Sequence, residues 1–453
     1  MRYHTWRGRI ILATVSRFQH SLPQNNAKLS VDFKNRLAVM RDAATADPSR
    51  TPAAQASALL LRVGIALLLI AAPMMSVGSR RAFLIVAPLG ISIIFLATMI
   101  DGRAGLAFSR TGRFFTSIAG VAALFLLFWA AVSLGWTSSR ALGFDRLLKI
   151  SGTLLLTVLA CFSLPSRMRA SNLYLIPIGV LLAAGLAIAA ASYGLLPFRA
   201  FDPDQPTLDR AAAAISLQLF AALGWLMTKE RPLMAALLGA VVLFAAFLGA
   251  ADDSAIAIAA GGLALLAATW KPKLTGIVVA GLMALLLLLA PLLAIGVQPY
   301  ADYLPWLEPE DFASLDVWVH VVRSDPLRLI AGRGMESAAF DRITGVIGFA
   351  APHSTLFEIW YELGLLGAAS LAVLMGAAVL AASRMTGRVA PYAIGALTCA
   401  FLHACMGSGT VQTWWMTTLC LTAIAFAAVN SGQYRSVRPR AALFNRTEAE
   451  PAH

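Results

Sequence analysis

The sequence predicts an all-α, polytopic integral membrane protein with about twelve transmembrane helices and one large loop. Three observations lead to this prediction. Hydrophobic residues make up 59% of the chain and charged residues only 13%, and the mean hydropathy is +0.74. Apolar runs close to the ~20 residues that a membrane-spanning helix needs recur along the chain. The connections between these runs are short, apart from one hydrophilic stretch at 297–352.

The apolar runs define the domain organisation. They are expected near residues 57–75, 82–100, 115–135, 147–165, 172–196, 210–227, 232–250, 253–270, 274–296, 354–383, 391–406 and 411–430. The expected divisions are a cytoplasmic N-terminal tail (1–50), transmembrane helices 1–9 (51–296), a large periplasmic loop (297–352), helices 10–12 (353–430) and a cytoplasmic C-terminal tail (431–453). The four cysteines lie in apolar runs without paired spacing, so neither a disulfide framework nor a zinc site is indicated.

Basic residues indicate how the chain is oriented in the membrane. With the N-terminal tail in the cytoplasm, each cytoplasmic connection carries at least a basic pair, as the positive-inside rule expects. These residues are Arg103, Arg110, Arg113, Arg167, Arg169, Lys229, Arg231, Lys271, Lys273, Arg384 and Arg388. Orientation thus explains much of the net charge of +13. No basic, aromatic-interleaved soluble domain is present, so a nucleic-acid partner is not expected.

A second set of basic residues falls on the trans side, where the same rule expects few. An anionic ligand on that side would explain why they are retained. Alternatively, they pair with acidic residues of the same loops. The alternative is weaker for Arg210, which opens a helix at the membrane boundary, where an unpaired guanidinium is costly. The set comprises Arg140, Arg146, Lys149, Arg199, Arg210, Arg323, Arg328, Arg333 and Arg342.

The stretch from Pro352 to Gly367 places a titratable imidazole, that of His353, where the large loop re-enters the membrane. On a helix, Glu358 and Glu362 stack one turn apart. Glu362 lies a turn or more inside an apolar run, so we expect it to face protein or water and not lipid. In a purely structural interpretation, His353 caps the helix and the two glutamates bind neighbouring helices.

The large loop contains its own turn signals. A short helix is expected over Asp316–Val322, which includes Trp318, and Asp325 with Pro326 should end it. The following turn, Gly332-Arg333-Gly334, is expected to expose backbone amides beside a guanidinium. Such a turn can hold phosphate oxygens, although a Gly-x-Gly pattern is often only a turn.

These features, in this order, resemble the O-antigen ligase and O-antigen polymerase superfamily of polytopic membrane glycosyltransferases. The similar motif is a histidine followed by Asn or Ser, then a glutamate and a Gly-x-x-Gly helix. In this chain it consists of His353, Ser354, Glu362, Gly364 and Gly367. The preceding residues Trp318, Asp325, Pro326, Gly332 and Gly334 are similar to the family's loop segment, and Leu208-Asp209-Arg210-Ala211 is similar to its earlier arginine-led helix start. The family often has an arginine just before the loop tryptophan, which this chain lacks.

The resemblance implies transfer of a glycan from a polyprenyl (undecaprenyl) diphosphate carrier to an acceptor hydroxyl, with inversion at the anomeric carbon. His353 suits the role of base because a neutral imidazole can accept the hydroxyl proton near pH 7. Arginine suits the diphosphate because its planar fork bonds two oxygens. The expected catalytic residues are His353, Arg210 and Glu362. Arg333, Arg323, Arg140, Arg146, Ser354 and Trp318 are the expected substrate-binding residues, and Glu362 or a loop carboxylate would orient the imidazole.

The predicted function is therefore that of an O-antigen ligase-like enzyme of the inner membrane. The implied partners are the lipid-linked glycan, a lipid A-core or glycan acceptor, and the bilayer; the scheme needs no metal or other cofactor. A polysaccharide polymerase of the same superfamily uses the same donor chemistry and remains an alternative. A transporter of lipid or glycan is an alternative of another class, because intramembrane charges also mark transport paths.

Overall fold

The computed structural model describes residues 52–193, 207–249, 251–303, 309–385, 388–407 and 412–432. Within these ranges all regular structure is helical, and the only β-type pairing is an isolated bridge between Met168 and Gly432. The predicted all-α class is thus confirmed. The predicted N-terminal tail lies outside the described residues, as does the C-terminal tail beyond Gly432.

Eighteen α-helices occur in the described residues, and most of them follow apolar runs. They are α1 (Pro52–Ala66), α2 (Ala72–Gly78), α3 (Arg80–Ile100), α4 (Ala104–Phe115), α5 (Ile118–Ser133), α6 (Arg140–Ser163), α7 (Ala170–Leu173), α8 (Leu175–Tyr193), α9 (Thr207–Thr228), α10 (Pro232–Leu248), α11 (Asp252–Trp270), α12 (Pro272–Val297), α13 (Pro309–Ser324), α14 (Arg328–Ala331), α15 (Ser337–Ile343), α16 (Thr355–Ala382), α17 (Ala390–Met406) and α18 (Thr413–Asn430). A π-helical turn, Leu67–Ala71, joins α1 to α2, and a 3₁₀ turn, Gln298–Tyr303, follows α12.

Each of the twelve apolar runs overlaps one of these helices. In the described residues, nine helical segments are long and apolar enough to cross a bilayer. The helices α4 and α5 meet the same test together but are bent by 75° at their junction, and α10 and α17 are apolar but shorter. The protein is accordingly a polytopic membrane protein.

Three helices differ from the prediction. Helix α6 begins at Arg140, well before residue 147, so Arg140 and Arg146 lie on its first turns and not in a loop. Helix α4 was not predicted, because its arginines interrupt the apolar pattern. The loop helix α13 runs from Pro309 to Ser324, longer than the expected Asp316–Val322, and ends before Asp325-Pro326 as expected.

Small residues allow some helices to pack closely. A Cβ added at Gly261 of α11 would lie 2.7 Å from the carbonyl oxygen of Gly395 in α17, and one at Gly395 would lie 2.8 Å from the Gly261 oxygen. In a membrane, such close backbone approach strengthens van der Waals packing between helices. Helices α12 and α5 pack against α16, and the predicted site is built around the beginning of α16.

Candidate functional site

His353 lies directly before the first turn of α16, in an extended segment at the end of the large loop. Ser354 is the N-cap of α16, where its Oγ accepts a hydrogen bond from the backbone N–H of Phe357 at 3.3 Å. This satisfies one of the amides that a helix start leaves free. The His353 side chain is exposed, and within the described residues its imidazole forms no hydrogen bond. The imidazole is therefore open to a ligand.

Trp318 attaches the loop helix α13 to this helix start. Its indole packs edge-on against the ring of Phe357, with centroids 5.5 Å apart, and Phe357 stacks on Tyr361 at 5.4 Å. Trp318 is only partly buried. Its described contacts pack α13 against the first turn of α16.

Helix α16 is broken at Gly364, whose φ of 63° and ψ of −156° are not helical. Three carbonyl groups at the break accept hydrogen bonds from outside the helix. The Tyr361 and Glu362 oxygens accept from the backbone amides of Arg333 and Gly334 at 2.8 and 2.9 Å. The Leu363 oxygen accepts from the indole Nε1 of Trp129 at 2.9 Å. The break is thus filled by the large loop and by α5.

The Gly332-Arg333-Gly334 segment is a tight turn, as expected, but its backbone amides are not exposed. Both glycines have positive φ, 76° and 102°, as expected for a tight turn. However, the amide of Gly332 donates to Arg328 and the other two amides donate to α16. The expectation that these amides are exposed was wrong, because donors and acceptors far apart in sequence meet only in the folded chain. The guanidinium of Arg333 remains near the site, 5.2 Å from the ring centroid of Tyr361, in a cation–π contact.

The turn between α5 and α6 fixes the same loop from the other side. The Trp136 indole donates to the Gly332 oxygen at 3.2 Å, and the Thr137 hydroxyl donates to the Met335 oxygen at 2.7 Å. Ser133 Oγ accepts from the Met335 amide at 3.1 Å. The loop after residue 331 is consequently held between α16 and the end of α5 with the turn that follows it.

Three acidic side chains secure the loop helix α15. Glu362 is buried, and its Oε1 accepts from the Ala338 amide at 3.3 Å. Tyr361 donates its hydroxyl hydrogen to Asp341 at 2.7 Å. Glu336, at the N-cap of α15, pairs with Arg146 of α6 at 3.0 Å. Burial raises the pKa of Glu336, and the neighbouring Arg146 opposes that shift.

Glu362 thus faces protein, as predicted, but it is not seen to orient the imidazole. Its described hydrogen bond goes to α15, and none joins it to His353. Its contact holds the loop against the broken helix. Arg146 is likewise engaged with Glu336.

Arg342 is the charged residue that acts electrostatically on His353. The residue is 8% exposed, its Nη2 donates to the Pro352 oxygen at 2.7 Å, and the same nitrogen lies 3.7 Å from Glu358 Oε1. Partial burial lowers the pKa of His353, and the Arg342 guanidinium lowers it further. Both effects favour the neutral imidazole, the form that can accept a proton.

The other predicted arginines, Arg323, Arg140 and Arg210, are found at three other places in the fold. Arg323 is exposed in the last turn of α13. Arg140 is exposed at the start of α6, where it donates to the Gly135 oxygen at 3.2 Å. Arg210 is buried in the first turn of α9 and lines a small cavity with Ser76, Phe83 and Trp414, which belong to α2, α3 and α18.

An apolar cavity of about 240 Å³ lies between α5, α6, α12, α16, α17 and α18. Its walls are almost entirely aliphatic and aromatic, and Thr355, Glu362 and Met335 line it near the start of α16. A cavity of this composition suits a hydrocarbon chain. Thr355, two residues after His353, is thus part of the cavity wall.

The sequence left two interpretations open for Arg328 and Arg342, an anionic ligand or pairing with the protein's own acids. The structure shows such pairs, with Asp325 at 3.6 Å and with Glu358 at 3.7 Å. The sequence offered no signal that Trp129 and Trp136 donate to the loop, because their partners lie some 200 positions away.

A comparison of the chain with protein-family models finds no matching family, and a comparison with curated proteins finds no significant match.

Proposed function

We propose that this protein is an O-antigen ligase-like glycosyltransferase that moves a glycan from a polyprenyl diphosphate to an acceptor hydroxyl. The observation that carries the proposal is the position of His353: an exposed imidazole, biased towards its neutral form, two residues before Thr355, which lines an apolar cavity. This arrangement suits a substrate with a hydrocarbon tail and a reacting polar head.

The proposal includes twelve membrane crossings, with the large loop in the periplasm of a bacterial inner membrane. If every apolar helical segment crosses, the turn between α5 and α6, the start of α9 and the large loop share one face. His353, Arg333 and Arg210 then lie on the same side. The opposite connections carry Arg103, Arg167, Lys229, Lys271 and Arg384, which supports a cytoplasmic assignment for them.

In the proposed reaction, the acceptor oxygen attacks the anomeric carbon of the donor sugar. The bond from that carbon to the diphosphate oxygen breaks, and polyprenyl diphosphate leaves with the electron pair. His353 takes the proton of the acceptor hydroxyl. Arginine side chains stabilise the charge on the departing diphosphate, and Arg333 and Arg210 are the proposed ligands, with Arg323 and Arg140 further candidates. The apolar cavity takes part of the polyprenyl chain.

The test uses the purified full-length protein in lipid nanodiscs, supplied with a polyprenyl diphosphate-linked glycan. Lipid A-core and a second lipid-linked glycan are offered as separate acceptors. His353→Ala should reduce transfer about 100-fold or more, as loss of a general base does. His320→Ala is the matched control, because His320 is exposed on α13 in the same loop, and it should retain transfer.

The products separate the candidate functions. Transfer to lipid A-core identifies a ligase, and transfer to the second lipid-linked glycan identifies a polymerase. A transporter would move the lipid-linked glycan across a vesicle membrane without forming a new glycosidic bond. Undiminished transfer by the His353→Ala variant would remove the imidazole from the mechanism.

A further inference from the structure

Arg342 links the segment that carries His353 to the helix that follows it. Through Nη2 it holds the Pro352 carbonyl at 2.7 Å and lies 3.7 Å from the Glu358 carboxylate. Its Nε is buried and has no hydrogen-bond partner in the described part of the chain. A long, charged side chain is rarely buried to this extent on a loop helix, so its position calls for a reason.

The backbone on both sides of His353 is fixed. On one side, the proline ring restricts φ of Pro352, and the guanidinium of Arg342 binds the Pro352 carbonyl. On the other side, Ser354 caps α16. His353 is held between these two points, and its side chain projects to the exposed surface.

We propose that Arg342 is the positioning residue of His353: by binding the Pro352 carbonyl it fixes the Pro352–Ser354 segment and with it the place of the exposed imidazole. The role as base rests on the function proposed above. Arg342 acts through His353 and does not itself touch the substrate, because its guanidinium is occupied by Pro352 and Glu358 and is nearly inaccessible.

Among the described residues, the charge that acts on His353 is that of Arg342 on α15, and Glu358 on α16 lies beside that charge. Helix α13 contributes the uncharged Val317, Trp318 and Val321 to the apolar cluster that includes Phe357. A fixed cation near an imidazole disfavours the imidazolium, and the direction of the His353 pKa agrees with this.

The experiment follows His353 itself, separately from turnover. The full-length protein, labelled with ¹⁵N-histidine in nanodiscs, is titrated by NMR. The chain has only six histidines, so the His353 signal is identified by its loss in His353→Gln. Arg342→Gln should raise the titration midpoint of His353 towards the ordinary value of 6.5 and reduce turnover at neutral pH about tenfold with little change in KM.

Two further variants define the cause. Arg342→Lys keeps the positive charge, so the midpoint should stay near that of the wild type and turnover should recover in part. Arg328→Gln is the matched control: Arg328 is exposed in the same loop and pairs with Asp325 at 3.6 Å. It should change neither the midpoint nor turnover.

Arg342→Gln leaves Glu358 buried beside a neutral side chain, which can prevent folding. The paired variant Arg342→Met, Glu358→Met removes both charges and tests the same point in a folded protein. An unchanged midpoint and unchanged turnover in these variants would overturn the inference. If the wild type transfers no glycan, the proposed function fails, while the NMR titration still reports whether Arg342 controls the His353 imidazole.

Discussion

At the residue scale, the imidazole of His353 couples protonation to folding. Burial and Arg342 lower its pKa in the folded state, while in the unfolded chain the value is near 6.5. As the pH falls below 6.5, the unfolded state takes up this proton before the folded state does. The stability associated with His353 is therefore complete above 6.5 and is lost as the pH falls through the folded pKa.

This predicts a pH-dependent stability difference between the wild type and His353→Gln. The wild type should lose stability relative to the variant as the pH is lowered from 8 to 5, because the variant has no imidazole to protonate. Thermal unfolding midpoints in nanodiscs over that pH range provide the measurement. A difference that stays constant across the range would contradict the assigned direction.

At the element scale, helix α16 donates a side-chain hydrogen bond to a carbonyl of helix α12 that a proline leaves without its usual helical donor. Pro291 interrupts α12 and has no N–H to donate to the carbonyl of Leu287, one turn earlier. The indole Nε1 of Trp360 in α16 donates to that oxygen at 2.7 Å. The vacant acceptor of one helix thereby fixes the position of the next.

Trp360→Phe should therefore destabilise the protein by about 1–2 kcal/mol beyond the lost packing, because a buried carbonyl loses its donor. In a Pro291→Ala background the cost should be smaller, since the introduced alanine supplies its own backbone N–H. A double-mutant cycle on chemical unfolding in micelles measures this coupling. Trp129→Phe is the control: it loses a similar bond, to Leu363, and its cost should not depend on residue 291.

The break in α16 gives another prediction for this element. An alanine at Gly364 would adopt a φ of 63°, and its Cβ would lie 2.6 Å from the Ile330 oxygen. Gly364→Ala should destabilise the protein by about 1–3 kcal/mol. Gly376→Ala in the same helix meets nothing within 4 Å and should be neutral or stabilising by up to ~1 kcal/mol. Thermal unfolding of both variants tests the contrast, and equal effects would argue against a strained break.

The sequence predicted the features that depend on local composition. It missed those that depend on contacts between residues far apart in the chain. The apolar runs predicted α3, α9 and α18, because a bilayer requires long apolar helices whatever their neighbours are. The motif singled out Gly364 but not the break, because the break depends on amides of Arg333 and Gly334. Nothing local in the sequence shows which donor will reach which carbonyl.

At the candidate site, too, the sequence predicted the local feature and missed the contact between distant residues. The position of His353 at a helix start followed from Pro352 and Ser354, which are its neighbours in the chain. The place of Arg342 beside it did not, because that contact depends on how α15 packs against α16. Sequence spacing thus located the candidate base but not the side chain that holds it.

At the scale of the whole molecule, the proposal depends on which side of the membrane each loop occupies. The donor glycan and the base have to meet in one compartment. His353 directly follows the large loop, whereas Lys271 and Lys273 lie where α11 ends and α12 begins, across the membrane from it if α12 crosses. Charge asymmetry supports this orientation, and labelling can measure it directly.

Two cysteine variants should report opposite sides. The four native cysteines, all free, are first replaced by alanine. Ser324→Cys, at an exposed position in the large loop, should then react with a membrane-impermeant maleimide in intact bacterial cells whose outer membrane admits the reagent. Lys271→Cys, also exposed, should react only after the inner membrane is permeabilised. The reverse pattern would place His353 in the cytoplasm, where a periplasmic lipid-linked glycan cannot reach it, and the proposed reaction would then have no donor.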